Sequence, residues 1–357
     1  MRNITKVLLV NIALIAVVIV CLELVFGSWL NPAQLNRLNI TRNYQRTYDV
    51  SALYEWDRKT VTYTRDAFGL RGSYASPGDI DILTVGGSTT DQQFISDGYT
   101  WQDVAQDAFA RAGTTVVFAN AGIDGQSTYG HLKNIDWWYP HIPDLKPSFI
   151  LYYVGINDFY REDDNYYDGL MRVDHPVKQI LQDRSAIYHL VRTLKGAHKA
   201  SLIDKISHRL IDFDNLDWTD RALIEDHRGL MSRRLEDYAA RLEALIDETR
   251  LLGATPVLVT QPTRMYRING GKTTGVAESK EYEGAAYNGV DFYAMMGLLN
   301  GVTMTVCRAR DAICINLAKD LEPLLEDRDF YDFFHMTPAG ERKIGLYLYE
   351  QLRPHLS

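Results

Sequence analysis

The sequence predicts an α/β domain, with a doubly wound, five-stranded parallel sheet between two layers of helices, set behind one N-terminal transmembrane helix. Three observations point there. Short apolar runs alternate with helical stretches from Ile80 to the C-terminus, most of these runs stop at Gly, Asn or Ser, and one long apolar segment stands apart at the start of the chain.

The apolar segment Val7–Phe26 has Asn11 and Glu23 as its only strongly polar members, and its length suits a bilayer span better than the core of a signal peptide. No small-x-small cleavage site follows it, and Val20 before Cys21 argues against lipoprotein processing. An uncleaved anchor over residues 1–30 is expected, with Glu23 snorkelling to the interface. Arg2 and Lys6 before the span and Arg37, Arg42 and Arg46 after it leave its orientation open. Residues 31–58, mixed and polar, read as a stalk leading to a domain over 59–357.

Within that domain Thr60–Thr64 alternates like a strand, and Asp66–Gly72 reads as a turn. The central strand, Ile80 to Val85, ends on Gly86-Gly87-Ser88. A helix over Trp101–Ala112 stops at Gly113; the next strand, Thr115–Asn120, closes on a turn through Gly122. Another helix reaches Trp137. Phe149–Val154 is the third strand and ends on Gly155-Ile156-Asn157-Asp158. In Met231–Leu252 the residues Met231, Leu235, Tyr238, Leu242, Leu245, Thr249 and Leu252 recur at spacings of four and three, as in a helix laid over a sheet. Pro256–Gln261 and Ala312–Leu317 complete the five strands. Two stretches fall outside the alternation: a charged, aromatic insert with helical pieces at about 160–226, and a loop over Arg264–Tyr293. Segments of this length usually cover a site or meet a partner, so a protein partner for the insert is kept open.

Composition narrows the classes. A chain of 357 residues with 46% hydrophobic and 24% charged residues is that of a folded protein. Its net charge of −8 leaves no basic excess for neutralising phosphates, which argues against nucleic acid as a partner. Cys307 and Cys314 either pair in a short loop, placing the domain in an oxidising compartment, or remain two buried thiols.

The chemistry follows from what ends the strands. In an open parallel sheet ligands bind beyond the carboxyl ends, and three of those ends carry Ser88, Gly122 and Asn157. Ser88 is the candidate nucleophile, although a serine after two glycines is also a common helix cap or phosphate-binding turn. Near the C-terminus, Asp332-x-x-His335 precedes Thr337-Pro338, a helix start. His335 there is free to face the sheet edge as general base, and Asp332 can fix its tautomer.

In order along the chain, Gly86-Gly87-Ser88, the Gly122 turn, Gly155-Ile156-Asn157-Asp158 and Asp332-x-x-His335 resemble the SGNH (GDSL-like) hydrolase superfamily, in a membrane-anchored bacterial form. The resemblance spans most of the chain beyond the anchor. It implies a flavodoxin-like layering and a serine esterase with Ser88, His335 and Asp332 as catalytic residues. It further implies an oxyanion hole made by Ser88, Gly122 and Asn157. Gly87 departs from the pattern, which has Asp before the serine. Anchored members with this block are similar to proteins associated with bacterial surface glycans. The implied substrate is therefore an O-acyl group, O-acetyl first, on a periplasmic or cell-surface glycan, with the domain outside the cytoplasmic membrane. An O-acyltransferase using the same residues and a non-catalytic, membrane-tethered binding protein are the alternatives. No cofactor is expected, and no His or Cys pair has the spacing of metal ligands on one element. Gly271-Lys272-Thr273 lacks the first glycine and the strand of a phosphate-binding loop.

Overall fold

The computed structural model describes residues 2–30, 35, 40–160, 177, 180–181, 184–191, 194–195 and 208–356. They belong to two compact units, residues 1–39 with 169–207 and residues 40–168 with 208–357. The expected insert at 160–226 lies outside the described residues up to 207, save for short pieces, and so does most of 31–39.

In the first unit, α1 (Arg2–Phe26) is apolar on every side. Its stretch Ile4–Phe26 has mean hydropathy 2.9 and no buried residue, long and apolar enough to cross a membrane. Glu23 does not snorkel freely. Its carboxylate accepts hydrogen bonds from Trp29 Nε1 (2.7 Å), Ser185 Oγ (2.5 Å), Ala186 N (2.9 Å) and Ile187 N (3.2 Å). It thereby satisfies the free N–H groups that open the helical residues 186–191.

The second unit begins with an antiparallel pair, β1 (Tyr44–Asp49) and β2 (Thr60–Arg65). Residues 40–58 are thus not a stalk: β1 pairs along its whole length, and Val50 and Leu53 beyond it are buried. Arg46 hides the strand signal. It falls among the half-buried positions of β1, with its guanidinium over the Tyr48 ring at 4.9 Å.

The chain continues through β3 (Ile82–Gly86), the single turn α2 (Ser88–Asp91), α3 (Trp101–Arg111), β4 (Phe118–Asn120), α4 (Thr128–Trp137), β5 (Phe149–Tyr153) and α5 (Ile156–Tyr160). After residue 208 come β6 (Trp218–Thr219), α6 (His227–Leu251), β7 (Thr255–Val259), β8 (Tyr266–Asn269), β9 (Lys272–Val276), β10 (Lys280–Tyr282) and β11 (Ala285–Tyr287). The last elements are α7 (Gly289–Ala309), β12 (Ile313–Ile315), α8 (Leu317–Leu321) and α9 (Pro338–Leu352).

Five strands form one parallel sheet in the order β12-β7-β5-β3-β4. Ile82, Leu83, Val85, Ile150, Leu151, Val257, Leu258 and Val259 are all buried, as in a sheet covered on both faces. The path leaves β3 for β4 on one side and then crosses to β5 on the other, so the topological switch lies beside β3. Ser88 and Asn157 follow the two strands that meet there.

Residues 264–293, read as a loop, instead form two hairpins over 266–287 and the start of α7. Gly270 and Gly271 (φ 59° and 81°) join β8 to β9, and Glu283-Gly284 (φ 49° and 80°) joins β10 to β11. Positive φ at both central residues is what a type I′ two-residue hairpin turn requires. The buried stripe of α6 runs from Met231 to Thr249, whereas Leu252, expected to extend it, is partly exposed beyond the helix end.

Cys307, in the last turn of α7, is bonded to Cys314 of β12. Alkylation of the denatured, unreduced chain is therefore expected to label one thiol, Cys21, and to label three after reduction. Labelling of Cys307 and Cys314 without reductant would refute the bridge.

Candidate active site at the carboxyl edge of the sheet

β3 delivers Ser88 through two glycines, and the second has a steric reason to be there. A Cβ on Gly87 would lie 1.9 Å from Asn157 Nδ2 and 3.2 Å from Gln126 O. An aspartate at 87, as in the SGNH pattern, has no room in this arrangement. Ser88 is the first residue of α2, so its N–H is one of the helix's free donors and has no acceptor among the described residues.

Ser88 Oγ lies 2.8 Å from His335 Nε2. His335 sits on the turn before α9, whose start is fixed by Pro338 and by the Thr337 hydroxyl accepting from Gly340 N. Asp332 organises that turn: Oδ1 accepts from the N–H groups of Phe334 and His335, each at 2.8 Å. His335 Nδ1 lies 2.8 Å from Asp332 Oδ2 and 2.9 Å from Oδ1. Burial alone would raise the Asp332 pKa, but the bonds from His335 and the two amides hold it below the ordinary value. The carboxylate thus accepts the Nδ1 proton, which leaves the Nε2 lone pair for the serine hydroxyl.

Asn157, in the first turn of α5, donates through Nδ2 to Gln126 O at 2.9 Å. That uses one amide hydrogen and leaves the second beside Gly87. Gly122 differs from what the resemblance implies. Its N–H is engaged by Asn120 Oδ1 at 2.8 Å. The residue must nevertheless be glycine, because a Cβ would lie 2.4 Å from Asp91 N and 2.7 Å from Thr90 C.

Several residues that hold this arrangement carried no role in the sequence reading. Arg65, buried in β2, donates through Nη2 to Asp91 Oδ1 and Gly122 O, both at 2.5 Å, and through Nε to Tyr63 OH at 2.7 Å. It fastens the α2 turn to the Gly122 turn. Asp158, next to Asn157, receives Thr128 Oγ1 (2.5 Å) and faces Arg241 Nη2 (3.3 Å). Burial pushes its pKa up, against Arg241 and Thr128. Gln261, beyond β7, donates to Thr89 Oγ1 (2.8 Å) and accepts from Ile156 N (2.7 Å), bracing the ends of β3 and β5 together. The only cue to these was position: Asp91 and Asp158 lie within a turn of the candidate residues.

His208 is a further histidine at the site. Its ring centroid lies 4.3 Å from that of His335, and its Nδ1 lies 3.0 Å from Tyr331 OH. Burial and the neighbouring His335 push its pKa down to about 4. A groove of about 780 Å³, lined by Tyr54, Trp56, Tyr99 and Arg342 among others, contains none of the candidate residues. The chemistry, not the volume, marks the site.

Beneath Ser88 and His335 lies the buried Glu341 of α9, which accepts from Gln92 Nε2 at 2.8 Å. Burial raises its pKa well above the ordinary 4.5, against the pull of Arg71. The folded state therefore holds this proton more tightly than the unfolded state. The group favours folding at low pH and costs stability as pH rises above its unfolded value. Glu341→Gln is expected to raise the melting temperature by several degrees at pH 8 and by much less at pH 4. An equal change at both would remove this account.

No protein-family model and no curated protein matches the sequence. Among solved structures the chain is similar to the psychrotrophic esterase EstA from Pseudoalteromonas sp., at 14% identity over 77% of this chain and 97% of that one, TM-score 0.40. It is similar to the acetyl xylan esterase AlAXEase, at 14% identity over 76% and 98% of the two chains, TM-score 0.42. The lipase/acylhydrolase from Enterococcus faecalis matches at 15% identity over 78% and 98%, TM-score 0.42.

Proposed function

We propose that this chain is a membrane-anchored serine ester hydrolase of the SGNH (GDSL-like) type. Its proposed substrate is an O-acyl group, O-acetyl first, on a periplasmic or cell-surface glycan. The observation that carries the reading is the unbroken relay from Ser88 Oγ through His335 to Asp332, at 2.8 Å on each side of the imidazole.

In this reading His335 Nε2 takes the Ser88 proton as Oγ attacks the ester carbonyl, and Asp332 stabilises the imidazolium. The oxyanion receives the Ser88 N–H and the second Asn157 amide hydrogen; Gly122 N–H joins them only if it leaves Asn120. Loss of one such donor typically costs about 2.7–4 kcal/mol in the transition state. His335 then protonates the departing sugar oxygen, and water, activated by the same imidazole, releases the acid. The apolar α1 and the Cys307–Cys314 bridge support a single-pass anchor with the domain on the extracytoplasmic side. The glycan itself is carried by the resemblance of the blocks. A sugar hydroxyl replacing water would turn the same residues to acyl transfer.

The test is acetate release by the detergent-solubilised full chain from p-nitrophenyl acetate and from an acetylated polysaccharide. Ser88→Ala is expected to abolish both while leaving thermal unfolding unchanged; full residual activity would sink the nucleophile. Acetate that moves to an added sugar instead of appearing free would favour the transferase.

Asn157→Ala is expected to lower kcat about 100- to 1,000-fold with little change in KM, since its donor is used mainly in the transition state. Gly87→Ala should reproduce that pattern, because its Cβ occupies the Asn157 amide position. A rise in KM at constant kcat would remove Asn157 from the oxyanion hole.

A further inference from the structure

We propose that His208, Asp332 and His335 form a binding site for a transition-metal ion, Zn²⁺ foremost, and that occupation of the site stops the reaction. The binding stands on its own; its inhibitory effect rests on the serine-hydrolase reading above.

Three ligand-type side chains meet although they come from distant parts of the chain. His208 lies on the segment that precedes β6, while Asp332 and His335 lie on the turn before α9. One ligand atom from each falls within 4.8 Å of the other two. His208 Nδ1 is 3.7 Å from Asp332 Oδ2, which is 2.8 Å from His335 Nδ1. Tetrahedral zinc with bonds of about 2.0–2.2 Å keeps its ligand atoms roughly 3.3 Å apart, a spacing that these two gaps bracket. All three side chains retain some solvent exposure, 13–17%, so an ion has a way in.

Two imidazoles and one carboxylate are a donor set for borderline metals, and the remaining position can hold water. Mg²⁺ and Ca²⁺ need mainly oxygen ligands, which this cluster does not supply. Two hydrogen bonds open on binding, His335 Nδ1–H to Asp332 and His208 Nδ1 to the Tyr331 hydroxyl.

The effect on catalysis follows from proton bookkeeping. A metal on Nδ1 displaces the proton from that nitrogen, and the neutral ring carries it on Nε2 instead. His335 then donates toward Ser88 Oγ, where catalysis requires it to accept. Asp332, bound to the ion, no longer stabilises an imidazolium. No atom is gained or lost apart from the ion, and chelation restores the original tautomer.

The direct test is calorimetric titration of Zn²⁺ into the full-length Ser88→Ala protein in detergent, with the visible absorption of bound Co²⁺ reporting coordination geometry. We expect one ion per chain and a tetrahedral Co²⁺ spectrum. Affinity should fall at least about tenfold on adding His208→Ala, since even an outer partner of a metal ligand is commonly worth 10- to 100-fold. His208→Gln serves if the alanine variant fails to unfold cooperatively. With Ser88 present, Zn²⁺ should inhibit ester hydrolysis reversibly and Mg²⁺ should not. For His208→Gln, measured against its own metal-free rate, the inhibition curve should move at least tenfold to higher Zn²⁺. Absence of binding, or binding and inhibition that survive both His208 variants, would overturn the site. Zn²⁺ binding by the Ser88→Ala protein when the wild type releases no acetate would separate this proposal from the hydrolase reading.

Discussion

The candidate site depends on one buried guanidinium. Arg65 reaches from β2 to Asp91 in the α2 turn and to the carbonyl of Gly122, the two segments that flank Ser88. Neither segment is long enough to hold itself: α2 is a single turn, and the Gly122 turn carries no regular structure. A buried charge with a matched partner is costly to break, about 3–5 kcal/mol when one side is removed. The pair therefore defines a geometry as much as it stabilises a fold. Glycine at 87 and 122 completes the constraint by letting the chains approach to distances that a side chain would forbid.

Around this clamp the parallel sheet supplies rigidity. β3 and β5 are neighbours, and the residues after them, Ser88 and Asn157, lie beside the switch point where the chain reverses its direction of winding. Gln261 braces the ends of these strands, while Asp158 ties the Asn157 turn to the start of α4 and to Arg241 of α6. Ser88, Asp91 and Asp158 at the sheet edge are thus each held by a second polar side chain. The proposed acyl chemistry requires positional accuracy of this kind.

Much of this arrangement was legible in the sequence, and the limits have physical causes. The sheet strands declared themselves because strands buried on both faces are continuous apolar runs, and their ends were marked by glycine and small polar residues. β1 escaped notice because Arg46 breaks its alternation, a charge that only the Tyr48 ring explains. The hairpins at 266–287 have little apolar signal and owe their form to turn residues. Ser88, Asn157, Asp332 and His335 were identified as site candidates by position, but the engagement of Gly122 N–H by Asn120 depends on a side-chain rotamer that no spacing reveals. His208 was unreadable for a similar reason: the segment around it has no periodicity, and only the fold brings it against His335.

Ser88 and His335 meet although they stand 247 residues apart in the sequence. A polypeptide emerging from the ribosome in N-to-C order exposes Ser88 long before His335. Gln92 and Glu341, which meet beneath the site, wait for the same event. The Ser88–His335 contact therefore cannot form before residue 335 has been made. In the proposed reaction, a chain that lacks His335 carries an ordinary serine.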